Sequence, residues 1–314
     1  STVRSEIEFN YNILSQVIDE IPVMYEASYK DFIRSSEEEA SFVADGDKDI
    51  YLSILRNFED ESYRQECLSE KIREIFFCSI FSYYESMLKV ISQYYNITLK
   101  ESVKDTFNEI NETFRSRYLE DILDNDADNQ WINNFSRLLR NHFIHGNLSD
   151  NNSRKLESYI LYEEGIEFYA DSYIRIVNND FLIKALKKIR SFLIGIESAF
   201  SAKVAEDFHQ MNLAKEIVHQ AVVNYPTEYP GLEDEFPPYC SIDAHRLLIK
   251  AEQIYLKLAN KGNPEAQTLL ANLYMVGIEI PDTEKGLYWL DMAVQQGYKL
   301  AITMMNEYNN VSSV

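Results

Sequence analysis

Three side chains close together in the chain could carry out acid–base chemistry on a phosphate. They are Arg140, Asn141 and His145, in the segment Arg140-Asn-x-x-x-His145. Histidine is the side chain that titrates most readily near neutral pH, and arginine is always charged and binds two phosphate oxygens at once. These residue types therefore fit a reaction in which a proton moves while negative charge develops on a phosphate.

The same residues lie in a segment, 131–146, that the sequence predicts to be helical. Four residues recur at spacings of four, three and four along one stripe of this helix: Trp131, Phe135, Leu138 and His142. Gly146 follows as a stop signal. At about 100° per residue, Arg140 and His145 differ by about 140° around the helix. We therefore expect Arg140 either to wrap around the helix or to meet the histidine of a second chain.

The segment resembles the R-x(4–6)-H motif of the HEPN ribonuclease family, in the form with Asn after Arg. The resemblance implies a homodimer in which two motif helices face each other and form one composite cleft. It also implies metal-independent RNA cleavage, in which the 2′-hydroxyl attacks and leaves a 2′,3′-cyclic phosphate. In that reaction Arg140 would orient the phosphate, His145 would carry the proton transfer and Asn141 would help hold the geometry.

Two further residues are candidates for the same site. Glu85 lies in the segment 81–86, which resembles the glutamate-bearing helix that packs on the HEPN motif helix, and the resemblance implies that Glu85 orients Arg140 or Asn141. Arg137 is a candidate for substrate binding, with a surface ion pair as the alternative. His142 falls on the apolar stripe, so we expect a core or interface role for it rather than catalysis.

Neither a metal nor a cofactor is expected. Cys67, Cys78 and Cys240 share no CxxC spacing, and the remaining histidines have no metal-ligand spacing. Nine glycines, none grouped as GxGxxG or GxxxxGK, argue against the common nucleotide-binding folds. The chain begins without an apolar signal segment and has no run of about eighteen apolar residues, so we expect a cytoplasmic protein without membrane contact.

Apolar periodicity predicts helices over most of the first 223 residues. A helix is expected at 6–29, with a kink or end at Pro22, and the acidic segment 35–49 could be a loop or a short helix. The strongest helix is predicted at 70–95, with core residues Ile72, Ile75, Phe76, Ile80, Tyr83, Tyr84, Met87, Leu88 and Ile91.

After the motif helix, a loop at 147–153 leads to a segment rich in tyrosine and isoleucine. That segment, 159–177, could be a small β-hairpin with its turn at Glu164 and Gly165. Residues 181–224 then read as one long or broken helix. We expect an all-α fold with this hairpin as a small addition.

The C-terminal part of the chain repeats itself. Segments 258–262 and 293–297 align at a period of 35 residues, as do Ala266 and Ala301. The pattern resembles Sel-one-like helical repeats, with Gly286 standing where alanine is usual. Four of the seven prolines lie in 224–240. We therefore predict a HEPN-like domain at 1–223, a linker at 224–240 and two repeats at 241–314, whose surface could bind an antitoxin, a sensor or an assembly partner.

Two functions other than the expected one remain open, and the charge balance bears on the first. With 30 basic and 51 acidic residues, the chain has a net charge of −21, which is unusual for a protein that binds RNA extensively. We expect a HEPN-type endoribonuclease, of the kind that acts as a toxin or antiviral defence effector. The first alternative is a non-catalytic HEPN and repeat scaffold. The second is a regulatory subunit whose motif region is modified by an antitoxin, but Asn147 stands where that modification needs tyrosine.

Overall fold

The computed structural model describes residues 2–99, 106–122, 127–146, 148–169, 173–224, 242–276 and 281–311. These residues form an all-α fold with one small hairpin, as predicted. The elements are α1 Thr2–Ala44, α2 Lys48–Tyr94, α3 Thr106–Tyr118, α4 Ala127–Gln130, a π-helical segment Trp131–Ser136, α5 Arg137–His145, α6 Asp150–Ile160, β1 Ile166–Tyr169, β2 Tyr173–Ile176, α7 Asn179–Asn224, α8 Ile242–Asn260, α9 Pro264–Val276, α10 Thr283–Gln295 and α11 Lys299–Val311.

Two long helices, α1 and α2, pack against each other as an antiparallel pair. α1 does not end at Pro22 but runs on to Ala44, so most of the acidic segment 35–49 is helical. The reason is a buried face within that segment, which consists of Ser36, Ala40 and Ala44 at spacings of four. Asp47 then starts α2 by accepting hydrogen bonds from the backbone N–H groups of Asp49 and Ile50.

The chain divides into two compact units. The first contains the described residues of Ser1–Thr113 and Asp121–Ala199, and the second those of Phe114–Glu120 and Phe200–Val314. The units thus divide within α7, earlier than the predicted boundary at 224. The predicted linker lies outside the described residues, apart from Asn224.

The core of the first unit is built from aromatic rings on α2, the motif segment and the first half of α7. Phe181 of α7 lies 5.6 Å from Phe77 and 6.3 Å from Phe135 between ring centroids, and Phe135 lies 5.3 Å from Trp131. Phe77, Phe135 and Phe181 are almost fully buried. This cluster fixes the motif segment against α2 and α7.

The hairpin forms, but not with the predicted turn. β1 and β2 pair antiparallel, with Ile166 opposite Ile176. Glu164 and Gly165 instead connect α6 to β1, and Gly165 has a φ of +84°, which favours glycine. The placement of the turn was wrong because α6, at Asp150–Ile160, takes up residues assigned to a loop and to the first strand. The residues between the strands lie outside the described part.

The second unit is a stack of helices on the second half of α7. Met211, Ala214 and Ile217 of α7 share a buried cluster with residues of α8 and α9. Gly262 and Gly297, one period apart, both have a positive φ, and Ala266 and Ala301 are both fully buried. The apolar face of α7 explains why the predicted repeats do not stand alone.

Gly286 has a clear structural reason. A Cβ at this position would lie 2.6 Å from Met275 Cγ and 3.1 Å from the carbonyl oxygen of Ala271. Glycine therefore lets α10 approach α9 more closely than alanine would allow.

Candidate active site on the motif helix

A π-helical segment, Trp131–Ser136, leads directly into α5. At its end the N–H of Arg137 donates to the carbonyl of Ile132, five residues back. Along this segment and the start of α5, the buried residues come in neighbouring pairs: Trp131 and Ile132, Phe135 and Ser136, Leu138 and Leu139. π-helical turns are rare and occur often at functional sites. The predicted apolar stripe is confirmed as far as Leu138, and His142 at its end is half-buried.

Arg140 lies half-buried in α5 with its guanidinium only partly bonded. Its Nη1 donates to Oδ1 of Asn141 at 3.1 Å. Its Nε is buried and has no hydrogen-bond partner in the described part of the chain, and the same is true of Oγ of Ser136. Ser136 precedes Arg140 by four residues, about one helical turn. A buried donor without a partner is costly, so such groups call for an explanation.

His145 is the last residue of α5, and its side chain is exposed. Gly146 ends the helix there with a φ of +71°, and its N–H donates to the carbonyl of His142 at 2.9 Å. The predicted stop at Gly146 is confirmed. The imidazole of His145 is therefore open to a substrate or to a second chain.

The predicted site residues are brought together only in part. Arg140 and Asn141 are in contact, whereas Glu85 on α2 is exposed. Over the described residues, no hydrogen bond or ion pair joins Glu85 to Arg140 or Asn141. Within one chain Glu85 does not orient either residue as expected. Arg137, the first residue of α5, is exposed.

A different carboxylate on α2, Glu74, is buried and hydrogen-bonded. Glu74 is only 6% exposed. Its Oε2 accepts a hydrogen bond from Nζ of Lys71 at 2.8 Å, and its Oε1 accepts one from the hydroxyl of Tyr173 at 2.8 Å. The spacing of Lys71 and Glu74 was visible in the sequence as an ordinary surface pair. The burial of Glu74 beside Tyr173 of β2 was not visible in the sequence.

Electrostatic interactions connect this part of α2 to the motif helix. Burial lowers the pKa of His142, the charge of Glu74 opposes that effect, and the charge of Lys71 adds to it. Burial raises the pKa of the Cys78 thiol, against the effect of the positive charge of Arg140. His142 is therefore favoured in its neutral form, and Cys78 as a thiol.

Between α2 and α5 there is a cavity of about 420 Å³. It is lined, among others, by Lys71, Glu74, Ile75, Cys78, Phe143 and Ile144. Ile75 was predicted to be in the core but is 63% exposed, because it borders this cavity.

The described ranges contain neither a cluster of candidate metal ligands nor a candidate membrane span. No group of three or more His, Cys, Asp or Glu residues there is arranged to hold a metal ion. None of the helices described is both long enough and apolar enough to cross a membrane.

Comparison with known proteins finds no related protein. No protein-family model matches the chain, and no curated protein or solved structure is significantly similar to it. The resemblance to HEPN domains and to Sel-one-like repeats therefore rests on the residues named above.

Proposed function

We propose that this chain is a metal-independent endoribonuclease of HEPN type, with a site formed across a homodimer through the motif helix. The observation that carries the proposal is the partly bonded guanidinium of Arg140. Its Nε is buried without a partner, and Asn141 holds one of its Nη groups. Nη2 makes no hydrogen bond within the described part of the chain and is not buried, so it can donate to a phosphate oxygen, and charge-assisted bonds of this kind are strong.

The proposed roles follow from the position of each group. Arg140, fixed by Asn141, binds the scissile phosphate and stabilises the charge that develops on it. His145, exposed at the end of α5, takes the proton of the 2′-hydroxyl as that oxygen attacks the phosphorus. The 5′-oxygen of the next nucleotide leaves and receives a proton, so that a 2′,3′-cyclic phosphate remains. Arg137, also exposed, would contact a neighbouring phosphate.

Two chains are needed because of the helix geometry. α5 is a regular α-helix from Arg137 to His145, so the angle of about 140° between Arg140 and His145 is retained. In a two-fold dimer, Arg140 of one protomer meets His145 of its partner, and the contact is isologous. Ile144, 49% exposed beside His145, offers apolar surface for such a contact.

The wider role is proposed from the resemblance alone. HEPN ribonucleases often act as toxins or antiviral defence effectors, and such an enzyme in the cytoplasm needs control. The helical stack of the second unit offers a surface for an antitoxin, a sensor or an assembly partner.

A non-catalytic scaffold is the second candidate, and the net charge of −21 favours it. A scaffold has no need for RNA and binds it weakly or not at all. The two candidates differ in whether purified protein cuts RNA.

The test is cleavage of total RNA in the presence of EDTA by wild type, Arg140→Gln and His145→Gln. His209→Gln, at an exposed position on α7, is the matched control. We expect wild type and His209→Gln to cut, and both site variants to be inactive.

Mixing the two inactive variants tests the composite site directly. A heterodimer of Arg140→Gln and His145→Gln chains contains one site with an intact arginine and an intact histidine. Activity should therefore return after subunit exchange. Lack of recovery in a proven heterodimer contradicts a shared site, and a folded, dimeric wild type that cuts nothing favours the scaffold.

A further inference from the structure

The cavity between α2 and α5 adjoins the proposed site through the chain itself. Phe143 and Ile144, which line it, stand between Asn141 and His145 in the motif. Phe143 follows Arg140 by three residues, so the two side chains are neighbours on α5, and the charge of Arg140 acts on Cys78 in the cavity. A base attached to a phosphate at Arg140 can therefore reach the cavity. The volume of about 420 Å³ lies within the range of roughly 300–1,000 Å³ that is usual for small-ligand sites.

The serine hydroxyls along the cavity have no free O–H donor to offer a ligand. The hydroxyl of Ser79 donates to the carbonyl of Ile75 at 2.9 Å, and that of Ser82 donates to the carbonyl of Cys78 at 3.0 Å. Cys78 remains a neutral thiol, which is a weak donor. The groups that can select a ligand are Lys71 and Glu74.

Lys71 and Glu74 present a donor beside an acceptor. Each carboxylate oxygen of Glu74 accepts one hydrogen bond in the structure, from Lys71 or from Tyr173, and each can accept a second. Lys71 contacts both Glu74 and Tyr173, but its side chain is 55% exposed, so at least one of its three N–H groups remains for a ligand. Tyr173 and Lys71 fix the carboxylate, which limits its freedom to adapt to other ligands.

Among the four RNA bases, guanine fits this pair best. Its Watson–Crick edge has two adjacent N–H donors, on N1 and N2, which match the two oxygens of a carboxylate. The neighbouring O6 accepts, which matches an ammonium group. Adenine, cytosine and uracil each present fewer donors to a carboxylate on that edge. The ring of Phe143 supplies the aromatic surface on which proteins commonly stack single-stranded bases.

We propose that the cavity between α2 and α5 is a guanine-binding subsite, in which Glu74 accepts from N1–H and N2–H, Lys71 donates to O6 and Phe143 stacks on the ring. Its role in choosing the cleavage position rests on the proposed ribonuclease function. The binding of guanine in the cavity does not depend on that function.

The test is binding of guanosine 5′-monophosphate to the full chain, measured by calorimetry beside the adenosine, cytidine and uridine monophosphates. We expect guanosine monophosphate to bind at least about tenfold more tightly than the other three. Glu74→Gln should remove at least about tenfold of that affinity, because an amide presents one N–H₂ donor where the base needs an acceptor. Glu157→Gln, at an exposed acid on α6 of the same unit, should change nothing.

Two further variants keep the proposal testable if Glu74→Gln loses the contact to Tyr173 and unfolds. Lys71→Met, at a largely exposed side chain, should lose the preference for guanosine over adenosine. Phe143→Leu should weaken all four nucleotides by a similar factor. Equal affinity for the four nucleotides in wild type, or unchanged preference in Lys71→Met and Glu74→Gln, overturns the subsite.

The outcomes also separate this inference from the proposed function. Selective guanosine binding without any RNA cleavage contradicts the ribonuclease proposal and leaves the subsite intact. Cleavage mapped by sequencing that shows no enrichment of guanine beside the cut site, together with unselective binding, removes the subsite and leaves the ribonuclease intact.

Discussion

Replacement of Arg140 by methionine should abolish activity without destabilising the fold. An arginine kept for structure makes hydrogen bonds whose loss weakens the native state. Arg140 instead has a buried Nε without a partner in the described structure and one hydrogen bond to Asn141. Such a residue is expected where stability has been given up for function.

The expected magnitudes follow from these contacts. A buried donor without a partner costs about 1–3 kcal/mol, and the lost bond to Asn141 is worth about 0.5–1.5 kcal/mol. Methionine keeps much of the apolar stem of arginine, so packing changes little. The free energy of unfolding of Arg140→Met should therefore be equal to that of wild type or up to about 2 kcal/mol higher. RNA cleavage should fall by at least about 10²–10³-fold, as for loss of one charge-stabilising donor.

The assay is urea denaturation followed by circular dichroism, in parallel with RNA cleavage. Arg190→Met is the matched control in the same unit. Arg190 binds Glu8 through Nε at 2.8 Å and Nη2 at 2.6 Å, and its guanidinium lies 4.9 Å from the ring of Tyr11. Loss of this partly exposed ion pair should make Arg190→Met less stable than wild type by about 1 kcal/mol. The reasoning is refuted if Arg140→Met is destabilised as much as Arg190→Met, or if it still cuts RNA.

Three other predictions concern stability. Phe135→Ala should lower the free energy of unfolding by about 3–5 kcal/mol, since Phe135 is fully buried in the aromatic cluster; a loss below about 1 kcal/mol in urea contradicts that packing. Because burial lowers the pKa of His142 below its ordinary 6.5, unfolding takes up a proton below that pH, so stability is full above 6.5 and falls on acidification. His142→Gln should lack that part of the fall between pH 8 and 5, and parallel curves for the two proteins contradict it. Gly286→Ala should be destabilising despite a gain of about 1 kcal/mol in helix propensity, since its Cβ would overlap Met275, and a raised melting temperature contradicts this.

Most of the helices could be predicted from the sequence because apolar residues recur with helical period wherever a helix is half-buried. The motif helix was recognised in this way, its end from Gly146, and the small hairpin from its richness in tyrosine and isoleucine. The continuity of α1 was not, because Pro22 and the acidic residues after it are local stop signals. The buried small residues Ser36, Ala40 and Ala44 carry little hydrophobic signal of their own.

The candidate active site could be predicted less completely than the fold. Residue type and spacing led to Arg140, Asn141 and His145, and two of these are in contact. Periodicity assumes a regular helix, so it gave no indication of the π-helical segment that buries Ser136 beside Phe135. Glu74 could not be distinguished from an exposed helix glutamate, because its burial depends on Tyr173, which is distant in sequence.

Some of the acidic residues lie well away from the motif helix, and their charge is compatible with a site for RNA there. Six of them lie in the segment 35–49, where α1 ends and α2 begins. Along α2, Lys48 and Lys71 are separated by 23 residues, or about 35 Å. That is several times the screening length of about 8 Å at physiological ionic strength, so the acidic end scarcely opposes a phosphate bound at Arg140. With few cations to hold the backbone, phosphate contacts alone give weak affinity. Under the proposed function, selection of RNA then depends on contacts to the base, and the cavity beside Phe143 is where such contacts are available.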